Sequence, residues 1–305
     1  MSVSVLMPVY NTRRAELQVA IESILDQTYK DFEFIIINDG STNDAEEVIL
    51  DYKDKRIRYF KNETNLKLIT TLNKGLDLCR GKYIARLDSD DYSVPERLER
   101  QVKYMEEHLN VGLLGSFFKR VPDNVLVQTP IHSDIIKLCQ RYVNNCIAHS
   151  TAMIRKSVLE ENNLRYNKNC LHAEDYKLWC DISYISDLAV IPEALISYKV
   201  NSDGISQSNL AWQRKMITVI MLDNIIRDFD CDKNYMYKIL TKYVKGEIIK
   251  NGEFEDIKNF LFSVTHYLQK IMSPFYDSEL IYRSIMSIPL YFERENNDFC
   301  LNDCI

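Results

Sequence analysis

The sequence lacks the patterns of nucleic-acid-binding and membrane-spanning proteins. Its 305 residues carry a formal net charge of −6, and no stretch is dense in lysine and arginine. This argues against nucleic acid as a partner, because binding to a phosphate backbone needs clustered positive charge. No apolar run reaches the roughly 18 residues that span a bilayer, and no N-terminal segment resembles a signal peptide. We expect a cytoplasmic protein, in which any contact with the inner face of the cell membrane is peripheral.

Several short motifs are absent as well. GxGxxG does not follow the first apolar run, which disfavours a nicotinamide or flavin enzyme, and the absence of GxxxxGK[ST] removes a P-loop. The eight cysteines form no CxxC pair, so buried free thiols are favoured over disulfides or a zinc site. With 46% hydrophobic residues, the chain can bury a core for one large domain and an appendage.

The first half of the chain alternates between apolar runs of strand length and apolar residues at helical spacing. This order predicts an α/β fold with a mostly parallel sheet and helices on both faces, whose ligands bind beyond the carboxyl ends of the strands. Ser93-Val94-Pro95-Glu96 has the pattern of a capping box, so we expect a helix to begin there. The predicted strands are residues 2–9, 32–37, 57–60 and 83–87.

An acidic cluster follows the fourth of these strands. Asp88, Asp90 and Asp91 repel one another, and a divalent cation with oxygen ligands, shared with a phosphate-bearing substrate, relieves that repulsion. The alternative is an acidic turn that only ends the strand. Arg86 lies on the same side as Asp88, either to neutralise the site or to form a structural ion pair.

Polar residues also follow the first and second strands. Tyr10 can stack on a base, and Asp39 can accept a hydrogen bond from an imide N–H such as that of uracil. The alternatives are a core tyrosine and the N-cap of the next helix. Because the ends of parallel strands meet at one edge, these positions predict a nucleotide site without a glycine loop.

A different carboxylate lies at the start of a predicted helix over residues 172–182. Asp175 is spaced with Leu178, Trp179 and Ile182 so that it shares the face these apolar residues bury. We interpret Asp175 as a general base in a partly apolar cleft, and the alternative is a first-turn acid that caps the helix. Glu174, on a different face, is the weaker candidate for the base and could instead bind a substrate hydroxyl.

These motifs resemble, in this order, family 2 glycosyltransferases of the GT-A fold, most closely the bacterial branch that builds O-antigen, capsule or other surface polysaccharides. The resemblance implies a catalytic domain over residues 1–206, with a nucleotide-sugar half at about 1–95 and an acceptor half at about 96–206. Residues 207–305 remain as a helical region. The matching segments are Pro8-Val9-Tyr10-Asn11, residues 38–42, residues 81–91, residues 173–179 and Tyr198-Lys199.

The resemblance also implies roles for individual residues. Asp39 would bind uracil, Asp90 would hold Mn²⁺ or Mg²⁺ on the diphosphate, and Asp175 would be the catalytic base of an inverting transfer. The implied nucleotide-sugar site comprises Pro8, Val9, Tyr10, Asn11, Asp39, Arg86, Asp88 and Ser89, and the implied acceptor side comprises His149, Glu174 and Trp179.

Two segments depart from the family pattern. Asn65-Leu66-Lys67 stands where many members have Asn-x-Gly, and Leu72 replaces the arginine of an Ala-Arg-Asn motif. Tyr198-Lys199-Val200-Asn201 replaces Tyr-Arg-x-His. Lys67 and Lys199 are therefore candidates for the missing contacts to the diphosphate.

Together these features predict a metal-dependent transferase that moves a sugar from a UDP-sugar to a hydroxyl of a glycan acceptor, such as one linked to undecaprenyl diphosphate. A cation would stabilise the negative charge on the leaving phosphate, and a base would take the proton of the acceptor hydroxyl. A single displacement would invert the anomeric carbon of the sugar. The alternatives are a nucleotidyltransferase and a non-catalytic nucleotide-sugar sensor. The helical region would pack on the sheet, form a homodimer or dock on a membrane surface.

Overall fold

The computed structural model describes residues 2–200, 209–245, 247, 249–272 and 277–286. The chain divides into two compact units, one of residues 1–137 and 146–208 and the other of residues 138–145 and 209–305. Every candidate site residue named above belongs to the first unit.

The first unit alternates strands and helices in its N-terminal half, as predicted. Both faces of β1 and β2 are buried, which explains why each reads as a continuous apolar run. From the N-terminus to β9, the elements are β1 (Val3–Val9), α1 (Arg14–Leu25), β2 (Phe32–Asn38), α2 (Ala45–Asp51), β3 (Ile57–Lys61), α3 (Leu68–Leu78), β4 (Tyr83–Arg86), β5 (Tyr92–Ser93), α4 (Arg97–Glu107), β6 (Val111–Val121), β7 (Val125–Val127), α5 (Ser133–Tyr142), a short 3₁₀ helix (His149–Thr151), β8 (Met153–Arg155), α6 (Lys156–Glu161), α7 (Glu174–Ser183) and β9 (Asp187–Lys199). The part of α5 from Leu138 onward belongs to the second unit.

The nine strands described form one sheet in the order β3-β2-β1-β4-β8-β6-β9-β5, with β7 paired to β6. The first four of these strands are parallel to one another, and β6 is parallel to β9. The remaining pairs, which involve β5, β7 and β8, are antiparallel. The mostly parallel sheet predicted from the sequence is confirmed, and it places the carboxyl ends of β1, β2 and β4 side by side.

The predicted capping box before α4 is wrong. Ser93 belongs to β5, where it pairs with Ile196, and the residue at the N-cap of α4 is Glu96, without a capping hydrogen bond from its side chain. The backbone N–H of Leu98 donates instead to Oε1 of Gln27, at 3.0 Å. Gln27, in the loop after α1, thus supplies the hydrogen-bond acceptor that the residues directly before α4 do not supply.

The second unit contains helices, as the apolar spacing predicts. They are α8 (Leu210–Asp228), α9 (Lys233–Lys245), α10 (Asn251–Met272) and a helix over residues 278–286. None of the helices described is both long and apolar enough to cross a membrane. Six of the eight cysteines lie in the part of the chain that the structure describes, and they form no disulfide there; five of them are buried. Cys300 and Cys304 lie outside this part.

Candidate functional site

The polar residues after β1, β2 and β4 emerge at one edge of the sheet. In the parallel register, Val9 of β1 lies opposite Asn38 of β2, and Leu6 lies opposite Arg86 of β4. Because Tyr10, Asp39 and the acidic cluster follow these strands directly, the prediction that they meet at a shared edge is confirmed.

The loop after β1 presents an exposed ring. Tyr10 is 49% exposed, so the alternative of a core tyrosine is wrong. Asn11 has a φ of 52° and ties this loop to the one after β2, since its N–H donates to Oγ of Ser41 at 3.0 Å and its Oδ1 accepts the N–H of Thr42 at 2.8 Å. Pro8 and Val9 are buried within β1, so they contribute by fixing the backbone that carries Tyr10.

Asp39 is a buried carboxylate with one oxygen already engaged. Its Oδ1 accepts hydrogen bonds from Nδ2 of Asn62 at 2.7 Å and from the backbone N–H of Leu66 at 2.9 Å. Asn62 is itself held by the ammonium of Lys74, at 2.6 Å. The N-cap of α2 is Asp44, so the alternative that Asp39 caps this helix is wrong. Oδ2 of Asp39 has no hydrogen bond among the described residues and keeps its capacity to accept one.

Asp88 is held by a buried cation and a hydroxyl. The guanidinium of Arg86, which is 1% exposed, pairs with Oδ1 of Asp88. The hydroxyl of Ser150 donates to Oδ2 at 3.0 Å and accepts the backbone N–H of Asp88 at 3.0 Å. Burial acts to raise the pKa of this carboxyl, but the charge of Arg86 and these hydrogen bonds outweigh it, so the pKa is lowered. Asp88 is therefore a fixed anion, and Ser150 is a site residue that sequence reasoning missed.

The two following carboxylates are less well compensated. Burial and the charge of Asp88 raise the pKa of Asp90 to about 6 and raise that of Asp91 as well. Asp91 accepts the backbone N–H of Lys199 at 2.8 Å through Oδ1, while its buried Oδ2 has no hydrogen-bond partner in the described residues. Ser89 joins the cluster to the loop after β1 through a hydrogen bond of 2.6 Å between its hydroxyl and that of Thr12.

This donor set fits a divalent cation that is shared with a ligand. Hard carboxylate oxygens with raised pKa values gain from a nearby cation, which favours their charged forms. Within the described ranges, no three histidine, cysteine or acidic side chains are arranged to hold a metal ion by themselves. The remaining ligands would therefore come from the substrate, and a diphosphate has the oxygens to supply them.

The two candidate lysines differ in their surroundings. The ammonium of Lys199 forms an ion pair with Glu16, and its charge opposes the rise in the pKa of Asp90. Lys67 is exposed and precedes α3 with a φ of 72° and a ψ of 155°, a conformation found almost only for glycine. The backbone at this position thus has a conformation that suits a glycine, although the residue is a lysine.

The start of α7 carries two adjacent carboxylates in different environments. Glu174 is 6% exposed, and its Oε2 has no hydrogen-bond partner among the described residues. Burial, followed by the charge of Asp175, raises the pKa of Glu174 to about 7. Asp175 is partly exposed, although Leu178 and Trp179 on the same face are buried. Its Oδ1 accepts the backbone N–H of Tyr176 at 2.7 Å.

Two residues outside the sequence motifs support His149. Nε2 of His149 lies 2.9 Å from the hydroxyl of Tyr166. The backbone N–H of Tyr166 donates to Oδ1 of Asn73, and Nδ2 of Asn73 donates to the carbonyl of Tyr166, both at 2.9 Å. No local pattern predicted these contacts, because 93 residues separate Asn73 from Tyr166.

Trp179 lies behind this pair and has no exposed surface. Its indole N–H donates to the carbonyl of Ile147 at 3.0 Å, and its ring meets those of His149 and Tyr166 edge-on, at centroid distances of 5.9 and 6.4 Å. A buried ring offers a ligand no contact surface, so Trp179 packs against His149 and does not contact an acceptor directly.

Comparison with known proteins finds a protein-family model, described as Glycosyl transferase family 2, that matches residues 4–162. An uncharacterised glycosyltransferase of Methanocaldococcus jannaschii is 32% identical over 280 residues, which cover 89% of this chain and 89% of that protein. The O-antigen biosynthesis glycosyltransferase WbnJ of Escherichia coli is 32% identical over 226 residues, which cover 69% of this chain and 84% of WbnJ.

Two solved structures share the fold. S. aureus TarS 1-349 in complex with UDP-GlcNAc matches with a TM-score of 0.62 at 17% identity, over 98% of this chain and 91% of that one. The mannosyltransferase PcManGT from Pyrobaculum calidifontis, in complex with GDP-Man and Mn²⁺, matches with a TM-score of 0.58 at 13% identity, over 96% and 86% of the two chains. These likenesses confirm the α/β architecture of the GT-A type.

Proposed function

The chain belongs to glycosyltransferase family 2, and we propose that it is an inverting, metal-dependent enzyme that transfers a sugar from a UDP-sugar to a hydroxyl of a glycan acceptor. One observation carries this proposal: the ends of β1, β2 and β4 bring an exposed aromatic ring, a buried carboxylate and an acidic cluster to one edge of the sheet. The family is one of enzymes that transfer sugars, so the nucleotidyltransferase and sensor alternatives are set aside.

The donor nucleotide would lie between Tyr10 and Asp39. The exposed ring of Tyr10 offers a stacking surface for a base. Oδ2 of Asp39 is available to accept the imide N–H of uracil, since the hydrogen bonds of this carboxylate to the protein are made by Oδ1. The complex of TarS with UDP-GlcNAc supports a uridine nucleotide.

Asp90 would hold a divalent cation, Mn²⁺ or Mg²⁺, on the donor diphosphate, and the Mn²⁺ in the PcManGT complex supports this. When bound, the cation supplies positive charge that stabilises the leaving diphosphate. Asp88, fixed by Arg86 and Ser150, would accept a hydrogen bond from a hydroxyl of the donor sugar. Lys67 and Lys199 are proposed to contact the diphosphate. Lys199 would first have to leave its ion pair with Glu16.

Asp175 would take the proton of the acceptor hydroxyl. The hydroxyl attacks the anomeric carbon as the bond to the diphosphate breaks, and a single displacement without an enzyme nucleophile inverts that carbon. The relationship to WbnJ supports an acceptor in O-antigen synthesis. A glycan on undecaprenyl diphosphate is the acceptor we propose, reached by a cytoplasmic protein peripherally bound at the membrane, with the helices of the second unit as the candidates for membrane contact or homodimer formation.

Asp39→Asn tests the nucleotide assignment. Asparagine keeps an oxygen for Asn62 and Leu66 but replaces the other oxygen by an amide N–H, which repels the imide N–H of uracil and suits the N3 acceptor of cytosine. We expect UDP binding to weaken by about 1.5–3 kcal/mol, CDP binding to weaken less, and binding of inorganic pyrophosphate with Mn²⁺ to stay unchanged. Calorimetry with the three ligands measures this, and an equal loss for UDP and pyrophosphate would show that Asp39 does not read the base.

Lys67→Gly separates a strained backbone from a ligand contact. Glycine adopts this conformation without a steric cost, so we expect a higher melting temperature, by about 2 °C for about 1 kcal/mol of relieved strain. We expect UDP-sugar affinity with Mn²⁺ to fall about threefold to tenfold, because a charge-assisted contact to the diphosphate is lost. Asn124→Gly, at another residue with positive φ in the β6–β7 turn, is the matched control and should leave donor affinity unchanged. If Lys67→Gly binds the UDP-sugar as tightly as the wild-type chain does, Lys67 does not contact the diphosphate.

A further inference from the structure

We propose that Tyr166 holds His149 as an Nδ1–H donor that binds a hydroxyl of the donor sugar, which makes Tyr166 a positioning residue for donor-sugar recognition. The proposal rests on the proposed function for its ligand, and on the contacts of His149 and Tyr166 for its geometry.

The hydrogen bond between the two rings fixes the tautomer. The Tyr166 hydroxyl is buried and has His149 as its partner among the described residues, at 2.9 Å from Nε2. A phenolic O–H is a better donor than a neutral imidazole N–H, and an unprotonated ring nitrogen is a better acceptor than a phenolic oxygen. Tyr166 therefore donates to Nε2, and the remaining proton of the neutral imidazole resides on Nδ1.

Both rings are held from behind. The paired hydrogen bonds to Asn73, each 2.9 Å long, fix the backbone of Tyr166. Trp179 packs edge-on against His149 and Tyr166. The imidazole therefore has little freedom to rotate away from Tyr166 and exchange its two nitrogens.

His149 remains neutral beside a charged pair. Burial, then the cation of Arg86, lowers the pKa of His149 to about 3, against the opposing effect of Asp88. Such an imidazole does not gain a proton near neutral pH and is too weak a base to take one from a sugar hydroxyl. Its useful capacity in the cleft is to donate a hydrogen bond.

The position of His149 favours the donor sugar over the acceptor. Ser150, the next residue, bonds Asp88 directly, and the charge of Asp88 acts on the imidazole of His149, which places the ring near the carboxylate proposed to contact the donor sugar. Nδ1 has no hydrogen-bond partner in the described part of the chain, and the residue is partly exposed.

The two side chains are complementary to neighbouring hydroxyls of one sugar ring. Asp88 accepts a hydrogen bond from one hydroxyl, and Nδ1–H of His149 donates one to the oxygen of the next. A hydroxyl both donates and accepts, so a sugar can satisfy the acceptor and the donor with two of its hydroxyl groups.

The test compares His149→Asn, whose amide nitrogen lies near the place of Nδ1, with His149→Gln, whose amide nitrogen lies near that of Nε2. Calorimetry with Mn²⁺ uses UDP, UDP-glucose and UDP-N-acetylglucosamine. For the UDP-sugar that the wild-type chain binds most tightly, we expect His149→Gln to lose about tenfold in affinity and His149→Asn about threefold or less, the range of one hydrogen bond. UDP alone should bind all three proteins equally. Equal losses for UDP and the UDP-sugar, or a change confined to the KM of the acceptor, would overturn the assignment.

The tautomer is measured without any ligand. In ¹⁵N NMR of histidine-labelled protein, the signal that is missing in His149→Asn identifies His149 among the five histidines. We expect Nδ1 to carry the proton in the wild-type chain and the Nδ1 form to lose its dominance in Tyr166→Phe, which should also weaken UDP-sugar binding but not UDP binding. A proton on Nε2 in the wild-type chain would contradict the proposal, whereas a wild-type chain that binds no UDP-sugar but shows the Nδ1 form would contradict the proposed function alone.

Discussion

Asp175→Asn is expected to lower the rate of sugar transfer by about 10²–10⁴, the range of lost general-base catalysis, and to leave UDP-sugar affinity nearly unchanged. Asparagine keeps the shape of the side chain and an oxygen for the backbone N–H of Tyr176. It cannot take the proton of the acceptor hydroxyl. If Asp175 only capped α7, the same substitution would cost little stability and little activity, because asparagine is a good cap.

Glu174→Gln is the matched control for this prediction. The pKa of Glu174 is raised to about 7 by burial and by the charge of Asp175, so the neutral glutamine resembles a form that the wild-type carboxyl already populates near neutral pH. We expect a much smaller loss of rate in Glu174→Gln than in Asp175→Asn. Transfer rate, donor affinity and melting temperature are measured on the same preparations. If Asp175→Asn keeps nearly the wild-type transfer rate and Glu174→Gln loses most of it, Glu174 is the general base instead of Asp175.

Asp90→Ala is expected to abolish both Mn²⁺-dependent UDP-sugar binding and transfer. Without this carboxylate, the described residues of the strand end provide one anion tightly paired with Arg86 and another whose Oδ1 is engaged by the backbone of Lys199. The first is compensated by Arg86 and the second is buried, whereas Asp90 is partly exposed, so we expect neither to replace it as a ligand of a shared cation. The negative charge of the diphosphate then stays uncompensated, so donor affinity falls together with the rate.

Two controls accompany the Asp90 variant. Asp123→Ala removes an exposed carboxylate that pairs with Arg120 next to the β6–β7 turn, and it should leave donor binding unchanged. The melting temperature of Asp90→Ala should be no lower than that of the wild-type chain without metal, because burial and Asp88 already raise the pKa of Asp90 to about 6 and so disfavour its charged form. Calorimetry that finds Mn²⁺-dependent donor binding in Asp90→Ala would contradict the metal assignment.

The parallel half of the sheet could be predicted from the sequence because its central strands are buried on both faces. β1 and β2 therefore read as unbroken apolar runs. β9 could not be recognised in the same way, since buried and exposed residues are mixed along it without a simple period. Its pairing with β6 also joins segments far apart in the chain, with a shifted register.

The strand-end residues of the site were predictable because polar groups that follow buried strands have few structural reasons to be there. Asp39, Asp88 and Asp90 were indicated as candidates in this way, and their roles stay predictions. Ser150, Tyr166 and Asn73 were not, because each acts through a partner distant in sequence, such as Asp88, which lies 62 residues from Ser150. The burial of Trp179 was predictable from its helical spacing with Leu178 and Ile182, but its contacts with His149 and Tyr166 were not.

Release of UDP from nucleotide sugars is the sharpest test of the metal-dependent donor site. The purified wild-type chain is incubated with UDP-, GDP- and dTDP-sugars, with Mn²⁺ or with EDTA, beside Asp90→Ala and Asp39→Asn. We predict UDP release from at least one UDP-sugar that depends on Mn²⁺, is abolished in Asp90→Ala and is reduced in Asp39→Asn, with little nucleotide release from the GDP-sugars, whose guanine lacks the imide N–H of uracil. UDP release that is as fast with EDTA as with Mn²⁺ would contradict this prediction. Release by the two variants that is as fast as release by the wild-type chain would contradict it as well.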